Sequence, residues 1–575
     1  MRDHKVYVRN RESGWLRDLL LLVVVLGTPF IQFLGHLPLI DPDEGRYAEI
    51  PREMLERGDL LTPTLNYVHY FEKPPLLYWI NAASFKLFGL NELAARLPSA
   101  LCGLLTVLVT YAVGRKLYGQ RTALISAMIL GTSAGFVFQS RIILTDMLLT
   151  CCLTASLGAF ICAAQRDTRR AGALPWYLFF LFSALAVLAK GLIGIVFPAG
   201  IIFFYLLLSW RWQLLTRMRL FSGLLLFLAV AVPWFVAVSL ENPQFARFFF
   251  IHEHFERFTS TVHGRYQPFW FFIPILAATM LPWSCFIPGA LVRAWRDRHH
   301  HDGSAGLYLL VWAGLIFLFF SKSDSKLIPY ILPIFPPLAI LIAHRFDGLL
   351  EDRGRELKFA TLMVGCILTI LGIACLGYGR LSQVAALLTE AMPRLADPLR
   401  QLVINAPPIS PATGTVLAAL FLIQGITCLA TAGRNPRRML VILCVCSFLL
   451  EILVPRLIMG PIAQAESPRE LAMKARELAV PETRIVTFGP MQAVSWYTGR
   501  RILVTGKPDE LEFGSKQGDQ SAWFPDQRAL LRLWGSNAHV LIILKKSELD
   551  DILPLLKPWP VIRGESGRRV LIGNR

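Results

Sequence analysis

The stretch Leu19-Leu-Leu-Leu-Val-Val-Val-Leu-Gly-Thr-Pro-Phe-Ile31 lies in the first of many long apolar runs in this chain. An apolar run of about 20 residues is what a helix needs to cross the hydrocarbon core of a bilayer. We count thirteen such runs, which predict an all-α polytopic membrane protein with about 13 transmembrane helices. The runs lie near 18–35, 95–114, 122–140, 146–165, 174–189, 191–209, 220–240, 269–291, 306–320, 326–343, 359–378, 412–432 and 439–458.

The composition of the chain agrees with many spans rather than a single anchor. Of its 575 residues, 54% are hydrophobic and 17% are charged, whereas soluble proteins carry about 25% charged residues. The net charge is +18, but no RNA- or DNA-binding motif accompanies it. We therefore expect a lipid bilayer as the partner and no nucleic acid, because membrane proteins collect Lys and Arg in their cytoplasmic loops.

Basic clusters follow every even-numbered run, and the N-terminus is basic as well. The clusters are Arg115, Lys116 and Arg121; Arg166, Arg169 and Arg170; Arg211, Arg217 and Arg219; Arg293, Arg296 and Arg298; Arg345, Arg353, Arg355 and Lys358; and Arg434, Arg437 and Arg438. The positive-inside rule then predicts a multi-pass membrane protein with a cytoplasmic N-terminus, and thirteen spans place the C-terminal domain on the outward side.

The pattern divides the chain into a transmembrane domain, residues 1–458, and a small soluble domain, residues 459–575. Short β-rich runs at Arg484–Phe488, Arg501–Thr505 and His539–Leu544 alternate with helical patterns near 467–478 and 526–535. Strands that alternate with helices predict an α/β layer arrangement.

The first outward loop, residues 36–94, carries charged residues directly after the first run. Asp43, Glu44 and Arg46 stand together in Asp41-Pro-Asp-Glu-Gly-Arg-Tyr-Ala-Glu49. Helix capping by Asp43 would explain one carboxylate. It would not explain a second carboxylate at a membrane interface, which favours a general base, a group that orients a sugar, or a metal ligand.

Residues at two further outward positions could likewise have either a structural role or a part in the reaction. Glu72 and Lys73 precede a Pro pair, so the backbone there should be extended. Lys73 could bind a phosphate or form a surface ion pair. Asp146 lies at the outer end of the fourth run, where it could cap a helix or serve the reaction.

The fourth outward loop, residues 241–268, groups His252, Glu253 and His254 just before Arg257. The two histidines are a weak metal signal, because they lack the spacing of the helical H-E-x-x-H motif. Two lysines of the next outward loop run against the positive-inside bias, and with nearby residues they could line an anion site. The residues of that site would be Lys73, Arg257, Lys322, Lys326 and Tyr330.

Four motifs, in this order, resemble the lipid A aminoarabinosyltransferase family, which belongs to the wider GT-C, protein-mannosyltransferase-like group. The motifs are Asp43-Glu-Gly-Arg-Tyr-Ala-Glu49, Tyr70-Phe-Glu-Lys-Pro74, Glu253-His-Phe-Glu-Arg-Phe258 and Lys326-Leu-Ile-Pro-Tyr-Ile-Leu332. The likeness covers nearly the whole chain. It implies an inverting transferase that moves 4-amino-4-deoxy-L-arabinose from undecaprenyl phosphate to a lipid A phosphate on the periplasmic face, which confers resistance to polymyxin.

The resemblance also implies roles for individual residues. Asp43 and Asp146 are the acidic side chains expected to take part in catalysis. The expected metal ligands, for zinc or magnesium, are Glu72 and a histidine of the pair His252 and His254. By the resemblance, Tyr70, Lys73, Arg257 and Tyr330 match positions around the lipid phosphate. Their place in the outward loops adds further candidates for binding the donor phosphate or sugar, namely Lys322, Lys326, Glu44 and Arg46. Position 45 is Gly where the enterobacterial members are expected to carry Thr.

The chemistry places most of the demand on the cations. A lipid A phosphate is already an anion, so the nucleophile needs little help from a base. The leaving undecaprenyl phosphate gains negative charge and needs Lys or Arg beside it, which makes Lys73 and Arg257 the most important candidates. A carboxylate would orient the acceptor or stabilise positive charge on the sugar ring.

Two alternative functions stay open at the level of sequence. The first is another polyprenyl-phosphate-sugar transferase of mannosyl or hexosaminyl type, which would act on lipid, glycan or protein. The second is a transporter, which should show inverted repeats and polar residues at mid-membrane. The unusual polar residues here lie at the ends of runs and in outward loops, which favours the enzyme.

Overall fold

The computed structural model describes residues 14–165, 172–256, 266–299, 304–351, 355–380, 410–432 and 435–575. Up to residue 466 these residues are mostly helical. The helices are α1 (Trp15–Ile31), α2 (Asp43–Arg57), α3 (Leu76–Phe88), α4 (Glu92–Tyr118), α5 (Gln120–Gly131), α6 (Ala134–Ser140), α7 (Thr145–Ala164), α8 (Leu174–Lys190), α9 (Ile193–Ser209), α10 (Leu214–Arg217), α11 (Leu220–Glu241), α12 (Phe272–Thr279), α13 (Ile287–Arg296), α14 (Ser304–Lys322), α15 (Phe335–Glu351), α16 (Arg355–Gly379), α17 (Pro411–Thr431), α18 (Pro436–Val454) and α19 (Gly460–Glu466).

Each apolar run of the sequence coincides with a helix or a bent helix pair. Among the described residues, eight helices are long and apolar enough to cross a membrane. The pairs α5–α6 and α12–α13 reach that length only together, with bends of 66° and 114°, and α8 and α9 are shorter apolar helices. The predicted class, an all-α polytopic membrane protein, is confirmed, while the count of thirteen spans stays a prediction.

The long helix α4 shows why the elements begin and end where they do. The Asn91 side chain caps its N-terminus by accepting a hydrogen bond from the Ala94 N–H at 2.8 Å. Its last turn carries Arg115 and Lys116, which suit the negative end of the helix dipole. Gly119, with φ 93°, ends the helix in a conformation that other residues rarely adopt.

The C-terminal region is an α/β domain, as the sequence predicts. Its helices are α20 (Arg469–Leu478), α21 (Gln492–Thr498), α22 (Glu512–Ser515), α23 (Gln527–Trp534) and α24 (Lys546–Ile552). The loop after α2 carries the short pair β1 (Thr64–Leu65) and β2 (Val68–His69). The C-terminal sheet contains β3 (Arg484–Phe488), β4 (Leu503–Thr505), β5 (Val540–Lys545), β6 (Val561–Ser566) and β7 (Arg569–Gly573).

The five-stranded sheet has the order β4-β3-β5-β7-β6. Strand β3 pairs in parallel with β4 and β5, and β7 pairs antiparallel with β5 and β6. The sequence patterns identify β3, β4 and β5, but they do not identify the final hairpin. The last membrane helix continues past the predicted boundary at residue 459, through α19 to Glu466, and the domain boundary stays a prediction.

The C-terminal domain docks on the loop of residues 36–94 through specific hydrogen bonds. The Tyr497 hydroxyl accepts from the Leu39 N–H at 2.8 Å. The Asn66 side chain forms two bonds with the backbone of Ile502, at 3.0 and 3.1 Å. This docking places α21 against α2, the helix that carries Asp43 and Arg46.

Gly45 is required by that close approach. A Cβ at this position would collide with the Asp41 carboxylate and with the backbone nitrogen of Ala493. The Asp41 carboxylate itself accepts a hydrogen bond from the Ala493 N–H at 2.9 Å. The glycine is therefore a packing requirement of this chain, where the enterobacterial enzymes are expected to carry Thr.

Asp41 should make the stability of this contact depend on pH. Burial raises the pKa of the Asp41 carboxyl to about 6, so the folded protein favours the protonated form. Protonated Asp41 therefore stabilises the folded protein fully below about pH 4, the pKa of an Asp carboxyl in the unfolded chain. This stabilisation is lost as the pH rises to about 6. Asp41→Asn has no carboxyl to ionise and does not show this loss. The free energy of unfolding of the variant, relative to the native protein, should therefore rise by up to about 3 kcal/mol between pH 4 and pH 8.

Thermal unfolding of the purified protein in detergent, followed at several pH values, measures this difference. Asp550→Asn is the matched control, because Asp550 is exposed on α24. Parallel pH curves for Asp41→Asn and the native protein would show that Asp41 is not the titrating group.

Candidate active site

A cavity of about 420 Å³ opens where the loop of residues 36–94 meets the ends of several membrane helices. Its wall combines charged, aromatic and aliphatic residues. Its acidic lining residues are Asp43, Glu72, Asp146, Glu253 and Glu510. Its basic lining residues are Arg46, Lys73 and Lys190. The aromatic and aliphatic residues are Tyr47, Leu144, Leu192, Ile193, Val196, Phe319, Phe320, Leu327, Pro329 and Tyr330.

Asp146 and Lys190 form an ion pair on one wall of the cavity. Asp146 lies in the first turn of α7, and Lys190 is the last residue of α8. Only about a tenth of each side chain is exposed. The Lys190 ammonium also lies 4.7 Å from the centre of the Tyr330 ring, a cation–π distance.

Lys190 lines the cavity, but none of the four sequence motifs contains it. The sequence does contain a signal, because Lys190 is a lone cation between two apolar runs, at a predicted outward connection only one residue long. A charge there must find a partner at the membrane interface. The partner, Asp146, is 44 residues away, and no local pattern joins the two.

Arg46 lies between two carboxylates from different domains. Its guanidinium pairs with Asp43 of the same helix and with Glu510 of the C-terminal domain. One of its nitrogens also lies 3.4 Å from the Tyr70 hydroxyl. Burial raises the pKa of the Tyr70 and Tyr47 hydroxyls above the ordinary value, so both remain neutral phenols.

Glu510 shows that the C-terminal domain forms part of the cavity. The sequence of this domain contains no phosphate loop and no catalytic triad, so the sequence alone predicts no role for it. The carboxylate enters the site only because the domain docks on α2. The adjoining α22 packs on the same loop, with Gly514 so close to the His69 carbonyl that a Cβ would collide with it.

Lys73 projects into the cavity from the extended segment before α3. Its ammonium lies 3.5 Å from a Glu253 oxygen and 3.9 Å from a Glu72 oxygen. The side chain is about 15% exposed. All three cations of the cavity are therefore held by carboxylates that line the same cavity.

Other predicted site residues lie behind the cavity or outside its wall. Both Glu44 oxygens accept hydrogen bonds from Arg96, at 2.7 and 2.6 Å, so Glu44 holds α2 rather than lining the cavity. Lys326 is buried, and its ammonium donates to the backbone carbonyls of Gln267 and Ser323. Lys322 is exposed and does not line the cavity.

The predicted metal site has incomplete support. Glu72 lines the cavity, with a carboxylate oxygen 3.9 Å from the Lys73 ammonium. The His252 ring packs against Phe248 at 5.2 Å. Among the residues that the structure describes, no group of three or more His, Cys, Asp or Glu side chains could hold a metal ion. The His254 side chain and Arg257 lie outside the described residues, and the zinc or magnesium site stays a prediction.

The fold and the charged cavity define a membrane glycosyltransferase of the GT-C class. A family model for dolichyl-phosphate-mannose-protein mannosyltransferases matches residues 38–249. A model for the aminoarabinose transferase C-terminal domain matches residues 471–574. The crystal structure of ArnT from Cupriavidus metallidurans bound to undecaprenyl phosphate superposes with a TM-score of 0.80, at 27% identity and 98% coverage of both chains.

Curated relatives identify the family within this class. The chain is 30% identical over 544 residues to the undecaprenyl phosphate-alpha-4-amino-4-deoxy-L-arabinose arabinosyl transferase of Erwinia tasmaniensis, which covers 93% of this chain and 94% of the relative. It is 30% identical over 568 residues to transferase 1 of Sodalis glossinidius, covering 95% and 96%. The chain belongs to this arabinosyl transferase family, as its motifs indicate.

The Glu510–Arg46 pair gives a test of the role of the C-terminal domain in the site. Glu510→Gln keeps the shape but removes the charge that holds Arg46. Loss of a hydrogen bond to a charged group costs about 1.5–3 kcal/mol, so glycosyl transfer should fall roughly tenfold to hundredfold. The matched control is Glu512→Gln, because Glu512 is exposed and pairs with Lys516 on the surface.

Initial rates of sugar transfer by the purified variants in lipid vesicles measure this effect. Equal rates for Glu510→Gln and Glu512→Gln would show that the Glu510 carboxylate is not part of the working site.

Proposed function

We propose that this chain transfers 4-amino-4-deoxy-L-arabinose from undecaprenyl phosphate to a phosphate group of lipid A. The reaction takes place on the periplasmic face of the bacterial inner membrane, and it confers resistance to polymyxin and other cationic peptides. The observation that carries the proposal is a cavity in which each described cation lies beside carboxylates, in a chain of the arabinosyl transferase family. This cavity suits a lipid phosphate and an amino sugar together.

The cations serve the leaving group. The acceptor phosphate oxygen forms a new bond to the anomeric carbon, while the bond between that carbon and the oxygen of undecaprenyl phosphate breaks. The bonding electrons go to the leaving phosphate, whose negative charge grows. Lys73 and Lys190 are the ammonium groups of the cavity that can stabilise this charge in a partly water-excluded site.

The carboxylates have two tasks in this scheme. Asp146 and Glu253 hold Lys190 and Lys73 in place before the donor arrives. Among the described lining residues, five acidic side chains outnumber three cations, and this negative charge suits the ammonium group of the amino sugar. Asp43, half exposed beside Arg46, acts as an orienting or charge-stabilising group rather than as an obligatory base.

The proposed orientation rests on the charge of the loops. The C-terminal domain and the cavity lie at the same end of the helix bundle, because the domain docks on α2. The basic clusters that contain Arg115, Lys116 and Arg293 lie beside Gln165 and Ala305, at the ends of α7 and α14 opposite to the cavity. By the positive-inside rule those clusters face the cytoplasm, so the cavity and the C-terminal domain, residues 459–575, face the periplasm.

The alternative is a transferase that uses another polyprenyl-phosphate sugar. The match of residues 38–249 to the dolichyl-phosphate-mannose-protein mannosyltransferase model supports this alternative, because that model is named for a different polyprenyl-phosphate sugar. The transporter reading loses its basis, since the chain belongs to a transferase family.

Mass spectrometry of lipid A distinguishes the two donors. A polymyxin-sensitive host that makes the aminoarabinose donor, but lacks its own transferase, should gain lipid A species heavier by one aminoarabinose unit when it expresses this chain. Its resistance to polymyxin should rise in parallel, because the added amine masks a phosphate charge. Unchanged lipid A, with the donor present and the protein in the membrane, would favour the alternative.

The leaving-group account predicts an order of effects among variants. Lys73→Ala removes a cation that faces the leaving phosphate, and transfer should fall by about 10² to 10³. Asp43→Asn should cost less, because the phosphate acceptor is already ionised. Arg257→Ala is also expected to cost more than Asp43→Asn. Lys322→Ala is the control, because this lysine is exposed outside the cavity.

Single-turnover transfer in vesicles, with saturating donor, measures the chemical step for each variant. Full transfer by Lys73→Ala, or a larger loss for Asp43→Asn than for Lys73→Ala, would contradict the leaving-group account.

A further inference from the structure

A second charged cavity lies at the opposite end of the same helices. Helix α7 begins at the active-site cavity with Thr145 and Asp146, and the residue after its end, Gln165, lines the second cavity. Helix α14 connects the two in the reverse direction, from Ala305 and Gly306 at the second cavity to Phe319 and Phe320 at the first. Twenty helical residues rise by about 30 Å, the thickness of the bilayer core, so the second cavity lies at the other membrane face.

This second cavity, named here the basic cavity, has a volume of about 670 Å³. Its cationic lining residues are Arg115, Lys116, Arg293 and Arg345, and His344 lies beside them. Asp297 is the acidic residue among the described lining residues. Its carboxylate lies 3.3 Å from the Arg293 side chain, and the cations exceed this single charge.

The His344 ring stacks on the Tyr118 ring, with 3.9 Å between the ring centres, and forms an aromatic surface of the basic cavity. Arg115 also contacts the buried carboxylate of Asp18 on α1 at 3.3 Å. Asp18 and Asp297 hold Arg115 and Arg293 in position, and among the described lining residues four cations face one carboxylate. Such a cavity favours an anion.

The basic cavity continues around α13 to an apolar groove on the side of the bundle. A small cavity of about 180 Å³ shares Arg293, Asp297 and Arg345 with the basic cavity, and it shares Val292 and Arg296 with the groove. The apolar groove has a volume of about 460 Å³. Its lining residues are Leu208, Leu291, Val292, Trp295, Arg296, Leu307, Leu310 and Val311.

The groove faces outward from the bundle. Leu208, Val292 and Trp295 are each about half exposed, at 48%, 49% and 50%. Trp295 also lies under the Arg298 guanidinium, at 4.1 Å. A tryptophan beside arginines is typical of the level where lipid headgroups meet the hydrocarbon.

We propose that the basic cavity and the apolar groove together form a binding site for an anionic phospholipid of the phosphatidylglycerol class. The headgroup phosphate lies among Arg293, Arg345 and Arg296, and one acyl chain follows the groove along α13 and α14. Basic pockets between membrane helices on the cytoplasmic side bind anionic lipid headgroups in this way. A free phosphate would use the cations but not the groove, and a zwitterionic lipid would not neutralise the surplus charge.

The test is native mass spectrometry of the full chain released from nanodiscs with equal amounts of phosphatidylcholine and phosphatidylglycerol. The native protein should retain phosphatidylglycerol in preference to phosphatidylcholine. Arg293→Gln with Arg345→Gln should weaken this retention roughly thirtyfold, about fivefold for each cation. Arg437→Gln with Arg438→Gln is the matched control, because this exposed pair belongs to another basic cluster, outside the cavity.

Two further measurements keep the proposal falsifiable if the glutamine variant folds poorly. Arg293→Lys with Arg345→Lys keeps both charges and should retain most of the lipid. Phosphatidylglycerol added to the native protein in detergent should raise its unfolding temperature by mass action, whereas glycerol phosphate at the same concentration should not.

Equal loss of phosphatidylglycerol in the cavity variant and in the control pair would show diffuse attraction and overturn the site. An equal effect of glycerol phosphate and phosphatidylglycerol would show a site for a soluble anion, which would overturn the lipid. Sugar transfer by the cavity variants gives a separate readout, because none of these arginines lines the active-site cavity.

Discussion

The buried ion pair between Glu44 and Arg96 is the contact on which the rest of the site depends. Both side chains are about 3% exposed. Arg96 also donates to the Leu34 and Pro38 carbonyls, which follow the first membrane helix. Breaking one partner of such a pair typically costs about 3–5 kcal/mol, because the other charge remains buried. The pair fixes α2 at the membrane interface, and α2 in turn presents Asp43 and Arg46 to the cavity and Gly45 to the C-terminal domain.

The cavity then combines charges from parts of the chain that are far apart in sequence. Each cation is paired before any donor arrives: Lys190 with Asp146, Lys73 with Glu253 and Glu72, and Arg46 with Asp43 and Glu510. Such pairing makes the positions of the cations definite without a bound phosphate. Because Glu510 is one of the partners, the geometry of the active site depends on the docking of the C-terminal domain.

The sequence predicts the parts of this structure that have a local pattern. Apolar runs identify the membrane helices, and alternating β-rich runs identify β3 to β5, because hydrophobic periodicity is a local property. The motifs locate Asp43, Lys73 and Tyr330, and the outer end of the fourth apolar run locates Asp146; all four line the cavity. The roles of Glu44 and Lys326 are set by distant partners, Arg96 and the Gln267 carbonyl. Lys190 and Glu510 become site residues only through tertiary packing, so no local spacing reveals them.

The central claim is that paired lysines receive the phosphate of the lipid donor. The most direct measurement is a cryo-electron microscopy structure of this protein in nanodiscs with undecaprenyl phosphate. The account predicts phosphate density within hydrogen-bond distance of the Lys73 and Lys190 ammonium groups, with Asp146 and Glu253 still beside them. Phosphate density away from both lysines, in a map that resolves their side chains, would contradict it.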